Sequence, residues 1–157
     1  MNTLKLNLEV IKDNEITTGG KEKRYDFTIK NSSNILAPIS LGELIDKITI
    51  LEIKTVHMTG KKLKNVEKEL KLLKDIIQVN NLEIDLGLIE NLKQVNNRLW
   101  NIEDSIRIKE SQQEFDREFI QLARSVYKEN DRRSTIKNEI NKTYNSDLIE
   151  EKSYNKY

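Results

Sequence analysis

The sequence predicts a mainly α protein: a four-helix bundle with coiled-coil-like seams, preceded by a two-stranded β element. Two observations favour the helices. Charged residues make up 34% of the 157 residues, with a single Pro and five Gly, a composition unlike that of a turn-rich β-sandwich. Long stretches also repeat apolar residues at alternating spacings of three and four, which is helical periodicity. A third observation, strict alternation of apolar and polar residues near the N-terminus, predicts the strands.

The N-terminal segment has the period of a half-buried strand. Apolar and polar residues alternate over residues 4–10 and again over 25–29, with Gly19-Gly20 supplying turn residues between them. We expect an antiparallel pair joined by a long loop. Because two strands are only marginally stable in water, their apolar face must pack on the helices or on another subunit. Residues 1–37 are assigned to this hairpin extension and its linker.

Four helices should follow, and their starts have recognisable causes. Ser40 with Glu43 forms a capping box before the first, and Ser111 with Glu114 repeats it before the fourth. Asp85 is a candidate N-cap for the third. The first helix is apolar on two sides, which predicts that it is central or serves two partners and, with the unsupported hairpin, that the chain forms a homo-oligomer. The predicted helices cover about 41–58, 61–79, 87–110 and 112–144, giving a helical domain over 38–145 and a C-terminal turn and polar tail over 146–157.

Composition excludes several classes of function. The absence of Cys removes thiolate catalysis, disulfides and Cys-based metal sites. A single His, His57, argues against a catalytic triad or a multi-His centre, so we predict no cofactor and no metal. The net charge of +1 provides no field that would attract nucleic acid. No apolar stretch approaches the roughly 18 residues of a membrane span, and no signal peptide is visible, so we expect a cytoplasmic location.

Polar residues that fall on or beside apolar helix faces mark a candidate site. On the fourth helix the inward face changes from apolar to basic, and it must therefore meet carboxylates, an anionic ligand or water. If Glu52, Glu103 and Asp104 neutralise that basic row, the cluster is structural. If they do not, Arg133 and Lys137 are left to bind phosphate or carboxylate. The candidate polar cluster comprises Glu52, Trp100, Glu103, Asp104, Arg107, Asn130, Arg133 and Lys137.

Two members of this cluster also have structural interpretations. Glu52 on an apolar stripe more often forms a structural ion pair than a ligand-contacting or acid–base group. Trp100, the sole Trp, is either a core edge or a stacking platform, and a residue that flanks a seam usually packs against it.

Three strings give a resemblance: PISLGELIDKITILEIK at 38–54, LWNIEDSIR at 99–107, and ARSVYKENDRR at 123–133 followed by IEEKSY. Their order and spacing resemble a family of small bacterial and phage helical proteins of unknown function, over about residues 36–154. The resemblance implies association with glycosyltransferases or other surface-polysaccharide proteins, in a bacterial cell or an infected host. It implies no activity and no catalytic residue.

These observations leave three functional hypotheses. The favoured one is a non-catalytic interaction or accessory module, linked to glycan assembly by the resemblance, with a protein partner; it predicts that the interior charges pair with one another. The second is an enzyme or binder of a small anionic substrate, such as a nucleotide or sugar phosphate. There Arg133, Lys137 and Arg107 would hold the anion and Glu52 or Glu103 would act as acid–base group. The third is a phage structural or assembly component. Whether the chain is an enzyme stays open.

Overall fold

The computed structural model describes residues 37–153, which form a bundle of four α-helices. The mainly α fold expected from the sequence is therefore confirmed for this part of the chain. The predicted hairpin extension lies outside the described residues, except for residue 37. None of the described helices is long and apolar enough to cross a membrane. The helices are α1 (Leu41–His57), α2 (Gly60–Val79), α3 (Leu86–Gln112) and α4 (Arg117–Thr143).

Two helix starts follow the prediction. The Ser40 hydroxyl accepts a hydrogen bond from the Glu43 backbone N–H at 3.2 Å, so Ser40 is the N-cap of α1. The Asp85 carboxylate accepts from the Leu88 N–H at 3.0 Å and caps α3. The Glu43 side chain does not complete the capping box by bonding back to Ser40, because its carboxylate binds Lys137 of α4 instead.

The predicted start of the fourth helix is wrong. Ser111 lies in the last turn of α3, where its hydroxyl donates to the Ile108 carbonyl at 2.7 Å, so it cannot cap the next helix. Gln113, at φ 58°, ends α3 in the left-handed conformation. Asp116 then caps α4 by accepting from the Phe119 N–H at 2.9 Å. Ser111 and Asp116 are both residue types that favour the N-cap position, and in the structure Asp116 occupies it.

The helices are arranged around α1. It contacts α2, α3 and α4, and α3 and α4 contact each other, whereas within the described residues α2 contacts only α1. The central position of α1 that its two-sided apolarity predicts is thus confirmed. The core cluster comprises Leu44, Ile45, Ile48, Leu92 and Ile140.

Gly42 brings α1 unusually close to α4. A Cβ atom at this position would lie 2.5 Å from the Lys137 carbonyl oxygen and 2.9 Å from Asn141 Oδ1. The Gly42 N–H donates to the same Asn141 oxygen at 2.7 Å, which gives one of the free N–H groups at the start of α1 a partner on another helix. This close approach sets the register in which the polar residues of α1 meet those of α4.

Candidate functional site

The interior and half-buried charges of the described residues do not form one centre. Lys109 of α3 binds Glu114, Asp116 and Glu118 at the connection to α4, and three further clusters lie between the helices. We name each after its most buried or most central member. The Lys137 cluster joins α1, α4 and the C-terminal segment, the Glu52 cluster joins α1, α2 and α3, and the Glu129 cluster joins α3 and α4. Each contains one group held by two groups of opposite charge.

The Lys137 cluster lies beside the Gly42 contact. The ammonium group of Lys137, whose side chain is only 7% exposed, binds Glu150 at 2.7 Å and Glu43 at 2.5 Å. Burial pulls the pKa of Lys137 down, but hydrogen bonds to Glu150 and Glu43 outweigh it, so the pKa is raised. The same ammonium lowers the pKa of Glu150. Lys137 is therefore a charged, doubly paired residue in the folded protein.

Asp46 forms a buried polar network one turn further along α1. Asn96 Nδ2 of α3 donates to Asp46 Oδ1 at 2.8 Å and approaches the Thr49 hydroxyl at 2.9 Å. The Thr49 hydroxyl itself donates to the Asp46 carbonyl at 2.8 Å. Burial raises the pKa of Asp46, and the Asn96 hydrogen bond together with the charge of Arg133 only partly opposes it. The network gives Asp46 and Thr49 a partner deep between α1 and α3, while the buried Asn96 Oδ1 atom has no hydrogen-bond partner among the described residues.

The Glu52 cluster borders a cavity of about 660 Å³ between α1, the C-terminal half of α2 and the start of α3. Glu52 binds Lys74 at 2.6 Å and Lys93 at 2.9 Å. Burial alone would raise the pKa of Glu52, but hydrogen bonds from the two lysines lower it overall. Most of the remaining lining is aliphatic, including Ile77 and Ile89. Glu52 therefore forms ion pairs that join α1 to α2 and α3.

The Glu129 cluster consists of one nearly buried carboxylate between two arginines. Glu129, with a side chain 9% exposed, accepts from Arg98 Nε of α3 at 2.9 Å and from Arg132 Nη1 one turn along α4. The two carboxylate oxygens are used separately, one by each guanidinium. This cluster ties α3 to α4 and carries one positive charge more than it has negative charges.

The remaining predicted site residues lie away from these clusters. Glu103 and Arg107 are exposed on α3 and form an i,i+4 pair at 3.1 Å, and Asp104 is exposed beside them. Asn130 is half-buried and donates to the Val126 carbonyl at 3.0 Å within its own helix. The exposed Glu103–Arg107 pair contributes only a few tenths of a kcal/mol to stability.

Trp100 of α3 is half-buried and lies beside the C-terminal end of α1. Its ring stacks on that of His57, with centroids 4.7 Å apart and planes at 20°. The indole Nε1 is buried and has no hydrogen-bond partner among the described residues. This stack packs Trp100 of α3 against the last residue of α1.

The sequence leaves two outcomes open for the basic row of α4: neutralisation by Glu52, Glu103 and Asp104, or a row left to bind an anion. In the structure Lys137 is neutralised by a different pair, Glu43 and Glu150. The reason is the register set by the close contact at Gly42. In this register Lys137 lies opposite the first turn of α1, where Glu43 is. Glu52 lies about three turns further along α1, where it meets α2 and α3 instead. Lys137 is thus paired, whereas the half-buried Arg133 side chain makes no ion pair or hydrogen bond with the described residues and acts only through its charge, which acts to lower the pKa of Asp46 and of Glu150.

Sequence reasoning missed Glu43, Glu150 and Glu129 as partners. Glu43 was assigned to the helix cap, where its spacing from Ser40 fits equally well. Glu150 lies in the polar tail beyond α4, where no periodicity predicts what it contacts. Glu129 had a usable signal, because it continues the three- and four-residue spacing of Val126 on the inward face of α4.

The arrangement offers limited chemistry. Asp46 has the raised pKa that a proton donor needs, but it is 4% exposed and lines neither the Glu52 cavity nor the groove beside Arg98. Glu52, which does line a cavity, is held ionised by two lysines. Within residues 37–153 no three His, Asp or Glu side chains are placed to hold one metal ion. The polar residues of α1 thus stabilise helix contacts.

Comparison with known proteins gives one match. The sequence model described as a family of unknown function (DUF6165) matches residues 35–157. No curated protein and no solved structure matches the chain.

Proposed function

Because the chain belongs to a family of unknown function (DUF6165), its role has to be inferred from its own surfaces, and we propose that it is a non-catalytic helical interaction module. The observation that carries this proposal is the unpartnered side of α2, since α2 contacts only α1 within the described residues. We name this side the outer face of α2. It consists of Lys61, Lys64, Lys68, Leu72, Ile76 and Val79.

The outer face of α2 is one continuous stripe. Its members follow one another at spacings of three or four residues, which puts them on the same side of a helix. The first half is basic and the second half is apolar, and Leu72, Ile76 and Val79 are 46%, 44% and 79% exposed. The opposite side of α2 supplies its single buried residue, Val66, together with the half-buried residues that pack on α1.

The lysines of this stripe do not stabilise their own helix. Lys61, Lys64 and Lys68 make no ion pair within residues 37–153, and the first turn of α2 contains no acidic residue. Lys61 lies in the first turn of α2, where positive charge opposes the helix dipole at a cost of a few tenths of a kcal/mol. An external acidic partner would convert this unfavourable charge into attraction.

We therefore propose an acidic amphipathic helix of a partner protein as the occupant. Its apolar residues would cover Leu72 and Ile76, and its carboxylates would pair with the lysines. A second copy of the chain fits less well. Antiparallel two-fold pairing of the outer faces lays lysines on apolar residues, and parallel pairing lays lysines on lysines. The homo-oligomer predicted from the sequence would have to use another surface.

A designed probe peptide tests this proposal. The probe is a helix with Leu and Glu placed at the spacings of the stripe, and its affinity for the full chain is measured by fluorescence anisotropy. We expect Lys61→Glu with Lys64→Glu, and separately Leu72→Ser with Ile76→Ser, to weaken binding about tenfold or more. The first pair should also reduce its salt dependence. Lys128→Glu and Ile120→Ser on α4, both exposed, are the matched controls.

Two results would contradict the proposal. One is probe affinity that the α2 variants and the α4 controls reduce equally. The other is a thermal-shift screen against nucleotides, sugar phosphates and divalent ions in which a ligand raises the unfolding temperature and the effect disappears with Glu52→Gln. That result would favour an anion-binding or acid–base role for the interior cluster instead.

The setting of the module rests on the resemblance alone. From it we propose a bacterial or phage protein that acts in the cytoplasm, beside the machinery of surface-polysaccharide assembly. The alternative role as a phage assembly component would require residues 1–37 to join subunits. The solution mass of the full chain, compared with that of a chain lacking residues 1–35, distinguishes the two.

A further inference from the structure

A groove of about 290 Å³ lies between α3 and α4, separate from the Glu52 cavity and from the outer face of α2. Its floor is apolar, since Val95 and Ile136 lie in it. Its walls are polar: they contain both arginines of the Glu129 cluster. The polar lining is Asn91, Gln94 and Arg98 from α3 and Arg132 and Thr135 from α4.

The nearly buried Glu129 carboxylate holds the two guanidinium groups in place. Glu129 fixes Arg98 through its Nε atom and Arg132 through Nη1. Each arginine has five N–H donors, and these bonds use one donor of each. The other donors have no hydrogen-bond acceptor within the described residues. The side chains are 46% and 65% exposed, whereas Glu129 is nearly buried, so the free donors are on the solvent side.

Charge balance favours an anion in this groove. Two guanidinium groups share the Glu129 carboxylate, which leaves an excess of one positive charge within this cluster. The Glu90 carboxylate beside the groove binds Gln94 and makes no ion pair with either arginine. Gln94, on the same wall, is hydrogen-bonded to Glu90 at 3.2 Å, so its amide is partly occupied. The two arginines are therefore the principal donors that a ligand would meet.

We propose that this groove binds the phosphate group of a small phosphorylated molecule. A phosphate has enough oxygens to accept from both guanidinium groups at once, and arginine forks match it geometrically. Because Glu129 anchors the arginines in advance, little side-chain entropy is lost when the anion binds. The apolar floor accepts the carbon skeleton beside the phosphate. This site is independent of the outer face of α2, so either proposal stands without the other.

The test is a titration of the full chain with inorganic phosphate at constant ionic strength, followed through the Nε–H signals of the arginines by NMR. We expect saturable shifts of the Arg98 and Arg132 signals. Arg98→Lys and Arg132→Lys, which keep the charge but lose the fork, should each weaken binding about tenfold. Arg107→Lys is the matched control, because Arg107 is also on α3 and also binds a glutamate, but has no second arginine beside it.

Each alternative result overturns the proposal. Shifts that are linear rather than saturable, or equal with chloride, mean ionic screening only. Equal losses with Arg107→Lys mean non-specific attraction, and acetate binding as tightly as phosphate means a carboxylate site instead. If a lysine variant unfolds, as circular dichroism would show, the wild-type titration and the other lysine variant still decide the question.

Discussion

Helices α1 and α2 follow one another in the chain and have similar lengths, yet the structure uses them in opposite ways. Eight of the 17 residues of α1 are buried, whereas only Val66 is buried among the 20 of α2. The buried and half-buried carboxylates of α1, Glu43, Asp46 and Glu52, find partners on α3 or α4, and Glu52 also binds Lys74 of α2. The lysines of the outer face of α2 have none within the described residues.

This difference separates residues that hold the fold from residues that are free to act. A buried polar group has to be partnered inside the protein, because leaving it unpaired costs about 1–3 kcal/mol. Asp46 and Thr49 meet that requirement through Asn96 and are therefore committed to helix packing. Lys61 and Leu72 carry no such commitment, so their substitution should affect binding more than folding. The predictions below test this contrast from the α1 side first.

The largest effect is expected from Gly42→Ala. The added methyl group would lie 2.5 Å from the backbone oxygen of Lys137, and a backbone atom cannot rotate away as a side chain can. We expect the free energy of unfolding to fall by about 3 kcal/mol, measured by urea denaturation.

Gly87→Ala is the control for the Gly42 substitution. There the new methyl group meets only the Asp85 carboxylate, at 2.9 Å. This side chain can rotate away, but it then gives up its cap bond to the Leu88 N–H, so we expect a loss of about 1 kcal/mol, smaller than at Gly42. If Gly42→Ala were no more costly than Gly87→Ala, the close contact of α1 with α4 would not be what fixes the register.

Lys137→Met should cost about 2 kcal/mol, because it leaves Glu43 and Glu150 without their cation. Both carboxylates are nearly half exposed and can be hydrated, which keeps the loss below that of a fully buried pair. Lys128→Met, at an exposed position of the same helix, should change stability by less than about 0.5 kcal/mol.

The pH dependence of the Lys137 effect has a definite sign. The pKa of Glu150 is lowered in the folded state, so its contribution is present above about pH 4.3 and is lost as the pH falls through the folded-state pKa. The pKa of Lys137 is raised, so its contribution is lost as the pH rises from about 10.4 through the folded-state value. The gap between wild type and Lys137→Met should be largest between these limits. A gap that is constant with pH would mean that lost packing, not charge, is responsible.

Much of the fold could be predicted because helical periodicity and caps are local signals. The seam spacings predicted four helices, and Ser40 and Asp85 were recognised as caps from the residues around them. The start of α4 could not be chosen, since Ser111 and Asp116 satisfy the same local rule and only the path of the chain between α3 and α4 selects one. That α2 rests on α1 alone is a tertiary property without a local signal.

The partners within the site were harder to predict for the same reason. Helical periodicity shows that Lys137 faces inward, but not which carboxylate it meets across the bundle. That depends on the register fixed at Gly42, whose role is visible only when the facing backbone of α4 is known. Helical periodicity therefore identified Glu52 and Lys137 as charges on or beside apolar faces, but it could not decide which groups each of them meets.

Asp46→Asn should have a smaller effect, of opposite sign. Because the pKa of Asp46 is raised in the folded state, the folded protein binds more protons than the unfolded one just above about pH 3.9, and stability falls as the pH rises through that range. The amide oxygen can still accept from Asn96. We expect the variant to be more stable than wild type at pH 7 and to lose that advantage towards pH 4. Asp104→Asn, at an exposed position, should show no such trend, and a destabilised Asp46→Asn at pH 7 would mean that the charge is required by Arg133 and Lys137.

The smallest effect on stability is expected at Leu72, and its neighbour provides the comparison. Leu73 packs half-buried against the core of α1, so Leu73→Ala should cost about 1–2 kcal/mol. Leu72→Ala on the outer face should cost less than about 0.5 kcal/mol. Binding of the acidic probe peptide should instead be weakened more by Leu72→Ala than by Leu73→Ala, because only Leu72 lies in the stripe that the partner covers. Urea denaturation of the two variants measures the loss of stability, and fluorescence anisotropy measures the loss of binding. If Leu72→Ala destabilised the protein as much as Leu73→Ala, the outer face of α2 would be part of the packed structure, and the contrast between α1 and α2 would disappear.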